Sequence, residues 1–402
     1  MDKDRSRLSL SRGELALLSR VLGLPTSPFH EQNVVACVAD VSRRIGWHAR
    51  SDRVGNVMVT PGARTRPRLV LSAHMDHPGF WGLRMLNRGV LEAHWMGRVP
   101  TEVMPGQAVR FWSGGRRARE GSLPGFWSKL SDAPRLGGKP VDGVVRSVES
   151  VNSLGDAERV LIEVEGRVAP GSVGMWRLEG PRVADGRVHA RAIDDMAAVA
   201  ALLMVARRLA RLERPPAVGL LFTRAEEGGF FGAIDYCRNL ASPEKAPLHV
   251  GLEMSMARGD ARHGVGVIVR VGDRRTTYSP EVTDAIVATA ESLAGADDAF
   301  SYRRELMSGG SCESTVYQSF LGRAGAICLP LGNYHNVTPE RGIGCEFIDV
   351  HDLSCMVRLC VAMAERGLSD SPVMRRFSEQ WSAYADRHQH LYRHPDAEAQ
   401  TT

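Results

Sequence analysis

Two kinds of sequence pattern alternate along this chain, and their order limits the folds that it can adopt. Over residues 1–92, and again over 186–369, short apolar runs typical of strands alternate with amphipathic stretches of helical length. Between them, residues 93–185 contain only short β-like runs separated by glycine and proline. We therefore predict one α/β domain in two parts, interrupted by a small inserted β domain at 93–185 and followed by a polar tail at 370–402.

Composition and charge exclude several classes of protein. With 402 residues, of which 43% are hydrophobic and 24% charged, the chain resembles a globular protein of two or three domains. Its longest apolar run, Met196 to Ala206, is about half a membrane span, and no signal peptide is recognisable, so we expect no membrane association. The net charge of +5 is not concentrated in a basic run, which argues against a nucleic-acid partner. Seven cysteines without a CxxC pair favour a reducing cytoplasm over a disulfide framework.

Polar groups suited to metal ions stand near the ends of successive apolar runs. They are His74 with Asp76, Asp194 with Asp195, Glu226 with Glu227, Glu253, and His335. In an α/β sheet the ligand crevice lies beyond the carboxyl ends of the strands, so these groups can converge there. Each has an ordinary structural explanation on its own, such as a helix cap for the aspartate pair or a solvated turn for the glutamate pair. Five such groups in succession favour a shared site.

Electrostatics indicates what such a site must contain. Two like charges about 4 Å apart repel by roughly 4 kcal/mol at an effective dielectric constant of 20. Six carboxylates around one crevice would therefore protonate in part or destabilise the fold. Two divalent cations would neutralise most of this charge, and imidazole with carboxylate ligands suits Zn²⁺, Mn²⁺ or Co²⁺. Because no thiolate belongs to the set, a closed structural zinc site is not expected.

The order H-x-D, D-D, E-E-G, acid, then H resembles the co-catalytic dimetal aminopeptidase superfamily. Within it, "DRVGNVMV", "SAHMDHPGF", "HARAIDDMAAVAALL", "FTRAEEGGFFGA" and "PLGNYHNVTPE" are similar to blocks of the tetrahedral aminopeptidase family, which includes the glutamyl aminopeptidases. The similarity spans roughly residues 10 to 365. The long gap of 120 residues between His74 and Asp194 matches the position of that family's inserted domain. The resemblance implies a mixed central sheet flanked by helices, with a small barrel-like β insertion.

The resemblance also implies a role for each polar group. Asp194 would bridge two metal ions; His74 and one acid, Glu227 or Glu253, would complete one metal site, and His335 with the other acid would complete the second. Glu226 would be the general base and acid. Asp76 would hydrogen-bond His74 and fix its orientation, and Asp195 would hold the Asp194 backbone through a cis peptide.

The implied activity is that of a metallo-aminopeptidase, which removes N-terminal residues from peptides. A hydroxide bridging the two metals would attack the scissile carbonyl while Glu226 takes the proton and later passes it to the leaving amine. Zinc is the expected metal, with cobalt or manganese as alternatives. Members of the family assemble as dodecamers, so a homo-oligomer is expected; Phe126 and Trp127, in a predicted exposed loop at 122–140, are candidates for such a contact.

Several departures from the family keep other functions open. The family usually has aspartate where this chain has Glu253, an acid where it has His77, and Thr-Asp-Ala where it has Cys312-Glu313-Ser314. A non-peptide amidase or deacylase with the same dimetal site is the main alternative, and a non-catalytic homologue is another. A cysteine nucleophile at Cys312 is disfavoured, because it would leave the acidic pairs unexplained.

Overall fold

The computed structural model describes residues 8–112, 139–240, 242–368 and 373–388. The helices are α1 (Arg12–Leu22), α2 (Gln32–Arg44), α3 (Met196–Leu209), α4 (Phe231–Arg238), α5 (Pro280–Ala296), α6 (Glu313–Leu321), α7 (Val350–Arg366) and α8 (Val373–Arg387). The first nine strands are β1 (His48–Ser51), β2 (Val57–Thr60), β3 (Leu69–His74), β4 (Gly79–Met85), β5 (Val90–Met96), β6 (Ala108–Trp112), β7 (Val141–Val151), β8 (Ala157–Val164) and β9 (Val173–Trp176). The others are β10 (Arg182–Ala184), β11 (Arg187–Ala190), β12 (Val218–Thr223), β13 (Leu248–Met256), β14 (Val267–Asp273), β15 (Tyr302–Met307), β16 (Ala324–Leu331) and β17 (Glu346–Asp349).

Local sequence explains where several helices begin. Ser11 and Glu14 form a complete capping box that starts α1, as the pattern predicts. Asp349 caps α7 by accepting a hydrogen bond from the backbone N–H of His351. The longest apolar run of the chain forms most of α3, where residues 196 to 206 are all buried. This helix is apolar on every side because it packs between the central sheet and the neighbouring helices.

A mixed eight-stranded sheet forms the centre of the α/β region, in the order β1-β2-β12-β3-β13-β16-β14-β15. The four central strands, β12, β3, β13 and β16, are parallel to one another. Strand β2 is antiparallel to both of its neighbours, whereas β14 is antiparallel to β16 and parallel to β15. One face packs in the main core with α1, α2, α3, α5 and α7; the other packs against α4 and α6. The predicted α/β class with a mixed sheet is confirmed.

The inserted β region closes into a barrel of six strands, in the order β4-β5-β8-β7-β6-β9. Its core contains the aromatic cluster of Phe80, Trp95, Phe111 and Trp176, in which Phe80 lies edge-on to Trp176 with ring centroids 4.8 Å apart. The strands of this barrel run from Gly79 to Trp176, whereas the predicted insertion spans 93–185. Only four residues separate the apolar strand β3 from β4, and no glycine- or proline-rich linker marks this junction in the sequence. We propose the strand bounds as the domain bounds. Phe126 and Trp127 lie outside the described residues.

The C-terminal region contains a helix that the sequence pattern did not predict. Residues Val373–Arg387 form α8, on which Trp381 and Tyr384 are exposed. In the described part of the chain, no helix combines the length and the apolar character that a membrane crossing requires.

Candidate metal centre

The proposed ligands converge at one edge of the central sheet. His74 is the last residue of β3, Glu226 and Glu227 follow β12, Glu253 lies near the end of β13, and His335 occupies a short turn after β16. These four strands are adjacent and parallel, so their carboxyl ends meet at the same edge. Asp194 reaches this edge from the connection between β11 and α3. The structure therefore brings together all five predicted ligand residues and Glu226.

Asp194 lies between the two histidines and presents one carboxylate oxygen to each. Its Oδ1 is 3.4 Å from Nε2 of His74, and its Oδ2 is 3.8 Å from Nε2 of His335. The carboxyl group is almost completely buried. This is the arrangement that a carboxylate bridging two metal ions requires.

The structure also separates the two acids that the sequence could not distinguish. Oε1 of Glu253 lies 3.8 Å from Nε2 of His74, whereas Oε1 of Glu227 lies 3.3 Å from Nε2 of His335. The two halves of the site are therefore His74 with Glu253 and His335 with Glu227, with Asp194 common to both. Every ligand atom in these pairs belongs to a buried or largely buried side chain.

The spacing of these atoms fits metal ions better than direct hydrogen bonds. Ligand atoms about 2.0–2.1 Å from a tetrahedral zinc ion are about 3.3 Å from one another. The four nitrogen–oxygen separations above range from 3.3 to 3.8 Å. Moreover, Oδ1 of Asp194 is buried and has no hydrogen-bond partner in the described structure. A buried carboxylate oxygen without a hydrogen-bond donor is expected where a cation binds.

Electrostatics supports the same conclusion. Burial raises the pKa of Asp194 to about 6, and the negative charge of Glu253 adds to this effect. Burial also raises the pKa of Glu226 well above its usual value. Burial alone would lower the pKa of His335, but the adjacent Glu227 carboxylate outweighs it and raises that pKa to about 10. Without cations, protons would neutralise the cluster; bound cations would displace them from the ligands.

Asp76 holds the turn that carries Glu226 and Glu227. Its Oδ1 accepts the backbone N–H of Glu226 and its Oδ2 accepts that of Glu227, both at 3.0 Å. Nδ1 of His74 donates to the backbone carbonyl of Asp76 at 3.1 Å and lies 3.5 Å from its Oδ1. The predicted contact with His74 is thus made mainly by the Asp76 backbone, and the carboxylate serves the turn after β12. Sequence reasoning missed this second role, because it depends on how β3 and β12 lie side by side.

The Glu346 carboxylate holds the backbone of Asp194, whereas the Asp195 carboxylate holds the backbone of His74. Oε2 of Glu346 accepts the N–H groups of Ile193 at 2.8 Å and Asp194 at 3.0 Å. Oδ2 of Asp195 accepts the N–H of His74 at 3.2 Å, and the Asp194–Asp195 peptide bond is cis. Glu346 reaches this place because β17 pairs with β11. No local motif marks Glu346 in the sequence.

A buried ion pair stabilises the turn that carries Glu226 and Glu227, which we call the glutamate turn. The Arg224 guanidinium lies 2.6 Å from Oε2 of Glu31, and both side chains are almost fully buried. Oε1 of Glu31 accepts the N–H of Ala225 at 3.0 Å, where the backbone has a left-handed φ of 51°. Arg224 also donates to the carbonyl of Phe29 at 2.8 Å. This pair therefore attaches the turn to the segment before α2, and sequence reasoning missed it as well.

Two charged groups lie behind the His74 half of the site. Burial raises the pKa of Glu313 to about 7, and its Oε2 accepts the Thr223 hydroxyl at 2.7 Å. Arg270 is 2% exposed, and its Nε has no hydrogen-bond partner in the described structure. Burial lowers the pKa of Arg270, but neighbouring groups that include Glu253 raise it overall. A single buried guanidinium offsets only part of the carboxylate charge nearby.

A family model described as M42 glutamyl aminopeptidase matches residues 149–358, just over half of the chain. The chain belongs to the M42 glutamyl aminopeptidase family. It is accordingly a metallo-aminopeptidase, and the M42 family consists of dimetal peptidases.

Solved structures agree with the M42 assignment at the level of the fold. A TET aminopeptidase from a marine sediment archaeon, Thaumarchaeota archaeon SCGC AB-539-E09, matches 89% of this chain and 98% of its own, with 17% identity and a TM-score of 0.70. An aminopeptidase from the archaeon Desulfurococcus kamchatkensis matches 88% of this chain and 94% of its own, with 19% identity and a TM-score of 0.68. The TET1 peptidase of Pyrococcus horikoshii matches 87% of this chain and 99% of its own, with 19% identity and a TM-score of 0.66.

One departure of this M42 chain has a visible structural consequence. His77 stands where the family usually has an acid. Its Nδ1 contacts the backbone carbonyl of Asp194, and its Nε2 lies 2.9 Å from Oδ1 of Asn336. Asn336 follows His335 directly. His77 thus joins the backbone of Asp194 to the turn that carries His335.

Proposed function

We propose that this protein removes N-terminal residues from peptides, with two divalent metal ions held by His74, Asp194, Glu227, Glu253 and His335. The observation that carries this proposal is the position of Asp194, whose two oxygens face the two histidines. Each histidine has its own second acid, so the residues form two half-sites around one shared carboxylate. Two half-sites of this kind suit a pair of ions rather than a single one.

The donor set supports zinc, with cobalt or manganese as alternatives, because it consists of imidazole nitrogens and carboxylate oxygens. When bound, the two cations would polarise the scissile carbonyl and lower the pKa of the attacking water to near neutrality.

Glu226 is proposed as the general base and acid. Its Oε2 lies 4.0 Å from Nε2 of His74, and the described residues donate no hydrogen bond to its carboxylate. It therefore stands beside the ligands with its oxygens free to take a proton from water and return it to the leaving amine. Burial raises the pKa of Glu226, so its carboxyl group retains a transferred proton more readily than that of an exposed glutamate before it passes the proton on.

The variant Glu226→Gln tests this role. We expect it to abolish turnover while two metal ions per chain remain bound, because Gln cannot accept the proton and Glu226 is not needed as a ligand. Glu226→Asp is the control: it keeps a carboxylate and should retain measurable activity. Substantial activity in Glu226→Gln, or loss of one metal ion in that variant, would contradict the assignment.

A non-peptide amidase or deacylase would use the same chemistry, so the substrate decides between the two functions. The metal-reconstituted protein should be assayed with aminoacyl amides that have a free amine and with N-acylated amino acids. We expect hydrolysis of the free-amine substrates. Cleavage of the blocked substrates alone would favour the alternative.

We further propose that the chain forms a homo-oligomer and is located in the cytoplasm. The Pyrococcus horikoshii relative assembles into a tetrahedron or a large octahedral shell. The seven cysteines are free thiols, which suits a reducing compartment.

A further inference from the structure

An aromatic patch borders the His335 half of the site. We define it as Phe29, Trp81, Met96 and Phe231. The ring of Phe29 lies 5.5 Å from that of Phe231 and 6.4 Å from that of Trp81, measured between centroids. These side chains come from the loop before α2, from β4, from the end of β5 and from the start of α4. The patch therefore spans the junction between the catalytic region and the barrel.

The patch is directly continuous with the proposed ligands. Gly228 follows Glu227, and a Cβ atom on Gly228 would lie 3.3 Å from the Met96 methyl and 3.6 Å from the Phe231 ring. On the other side, the carbonyl of Arg98, two residues after Met96, accepts a hydrogen bond from Nδ1 of His335 at 2.8 Å. Both protein ligands of this half-site are thus within a few residues of the patch.

Phe231 differs from the other large side chains near the ligands because it faces solvent. It is 52% exposed, whereas the proposed ligand side chains are nearly buried. An exposed phenylalanine beside a buried polar site gains from contact with an apolar group, since this contact removes the ring from water. The patch is consequently an apolar surface that is open to solvent beside Gly228, which places it where a substrate chain can exit the site.

The chemistry of an aminopeptidase determines which part of a substrate meets this exit. Only one residue precedes the scissile bond, and the whole remaining peptide follows it. Because the proposed ligands are buried, the first residue must lie towards them and the rest of the peptide must extend towards solvent. The residue directly after the scissile bond is the one nearest to the rim of the site.

We propose that the aromatic patch is the binding site for the second residue of the substrate, and that it favours peptides whose second residue is aromatic or large and aliphatic. This inference rests on the proposed aminopeptidase function and specifies its substrates. It makes Phe231 a specificity residue rather than a catalytic one, since it contacts the leaving part of the peptide and not the reacting bond.

A series of dipeptides tests the proposal. They share the same first residue and carry glycine, alanine, leucine or phenylalanine as the second residue. The aminoacyl amide of the same first residue serves as a substrate without a second side chain. For the wild type we expect kcat/KM to be about tenfold higher with phenylalanine than with glycine as the second residue. In Phe231→Ser this preference should fall to about threefold or less, while kcat/KM for the amide stays within about twofold of the wild-type value. Phe320→Ser is the matched control: Phe320 is 46% exposed near the end of α6, and its loss should leave the preference intact.

Different failures of this experiment have different meanings. A wild-type enzyme that cleaves the amide but is indifferent to the second residue would overturn the inference and leave the proposed function standing. The inference would also be overturned if Phe231→Ser kept the wild-type preference. A change in the assembly size of Phe231→Ser, measured by light scattering, would overturn it as well, because this result would place Phe231 at a contact between copies of the chain. If wild type cleaves no free-amine substrate at all, the proposed function itself fails.

Discussion

Replacing Asp76 by asparagine should show what the hydrogen bonds between Asp76 and the turn of Glu226 and Glu227 contribute, separately from metal binding. Asp76 is fully buried, and each of its carboxylate oxygens accepts one backbone N–H, from Glu226 and from Glu227, at 3.0 Å. In Asp76→Asn one oxygen becomes an NH₂ group, which cannot accept a hydrogen bond and faces another donor. The variant therefore loses one of the two hydrogen bonds that position Glu226, the proposed base, and Glu227, a proposed ligand.

The structure allows the size of this effect to be worked out. A hydrogen bond to a charged group contributes about 1.5–3 kcal/mol, so the free energy of unfolding should fall by about that amount. Residues that orient a metal site typically change activity by about 10–100-fold when they are replaced, and we expect kcat/KM to fall within that range. The loss should lie mainly in kcat, since the carboxylate does not touch the substrate.

Asp352 offers a matched control. It is also fully buried, and its two oxygens accept the backbone N–H groups of Gly264 at 2.8 Å and Gly266 at 2.7 Å, in the loop before β14. Asp352→Asn should destabilise the protein to a similar degree without the loss in kcat. Steady-state kinetics, metal content and denaturant unfolding of both variants are the assay. Unchanged kcat/KM in Asp76→Asn, or equal losses in both variants, would refute the reasoning.

Two further predictions concern metal ions and pH. Chelation should abolish activity and lower the melting temperature, and added zinc should restore both. The reason is that the cations neutralise the crowded carboxylates only in the folded state. An unchanged calorimetric melting curve after verified metal removal would count against the metal centre. Burial lowers the pKa of His249 to about 4, so that between about pH 6.5 and 4 the unfolded chain binds a proton that the folded protein excludes. The free energy of unfolding of wild type should therefore fall relative to His249→Phe, by about 2–3 kcal/mol, as the pH decreases across this range; parallel stability curves of the two proteins in denaturant titrations would contradict this prediction.

Much of the fold could be predicted from local patterns. The capping box at Ser11 and Glu14, the apolar period of α1 and the wholly apolar run of α3 depend on nearest neighbours along the chain. For the same reason the inserted β region was recognisable from its texture. Its start was not, since β3 leads into β4 through only a few residues and both are apolar. Helix α8 was also missed, because its composition is polar overall, although Phe377, Trp381 and Tyr384 recur at helical spacing.

The polar groups that meet at the sheet edge were predictable as a set, because their chemistry is uncommon at the ends of apolar strands. Their division between the two half-sites was not. Glu227 and Glu253 are both carboxylates after apolar runs, and only the direction of each side chain places Glu227 with His335 and Glu253 with His74.

The amino-acid sequence by itself determined the α/β class, the inserted β region and the set of groups that can bind metal, since periodicity and side-chain chemistry are local properties. Tertiary structure alone decided which groups meet. Glu346 reaches the Asp194 backbone through the pairing of β17 with β11, and Glu31 reaches the glutamate turn through its ion pair with Arg224. Such contacts join residues more than 150 positions apart. They depend on strand register and packing, to which no short stretch of sequence corresponds.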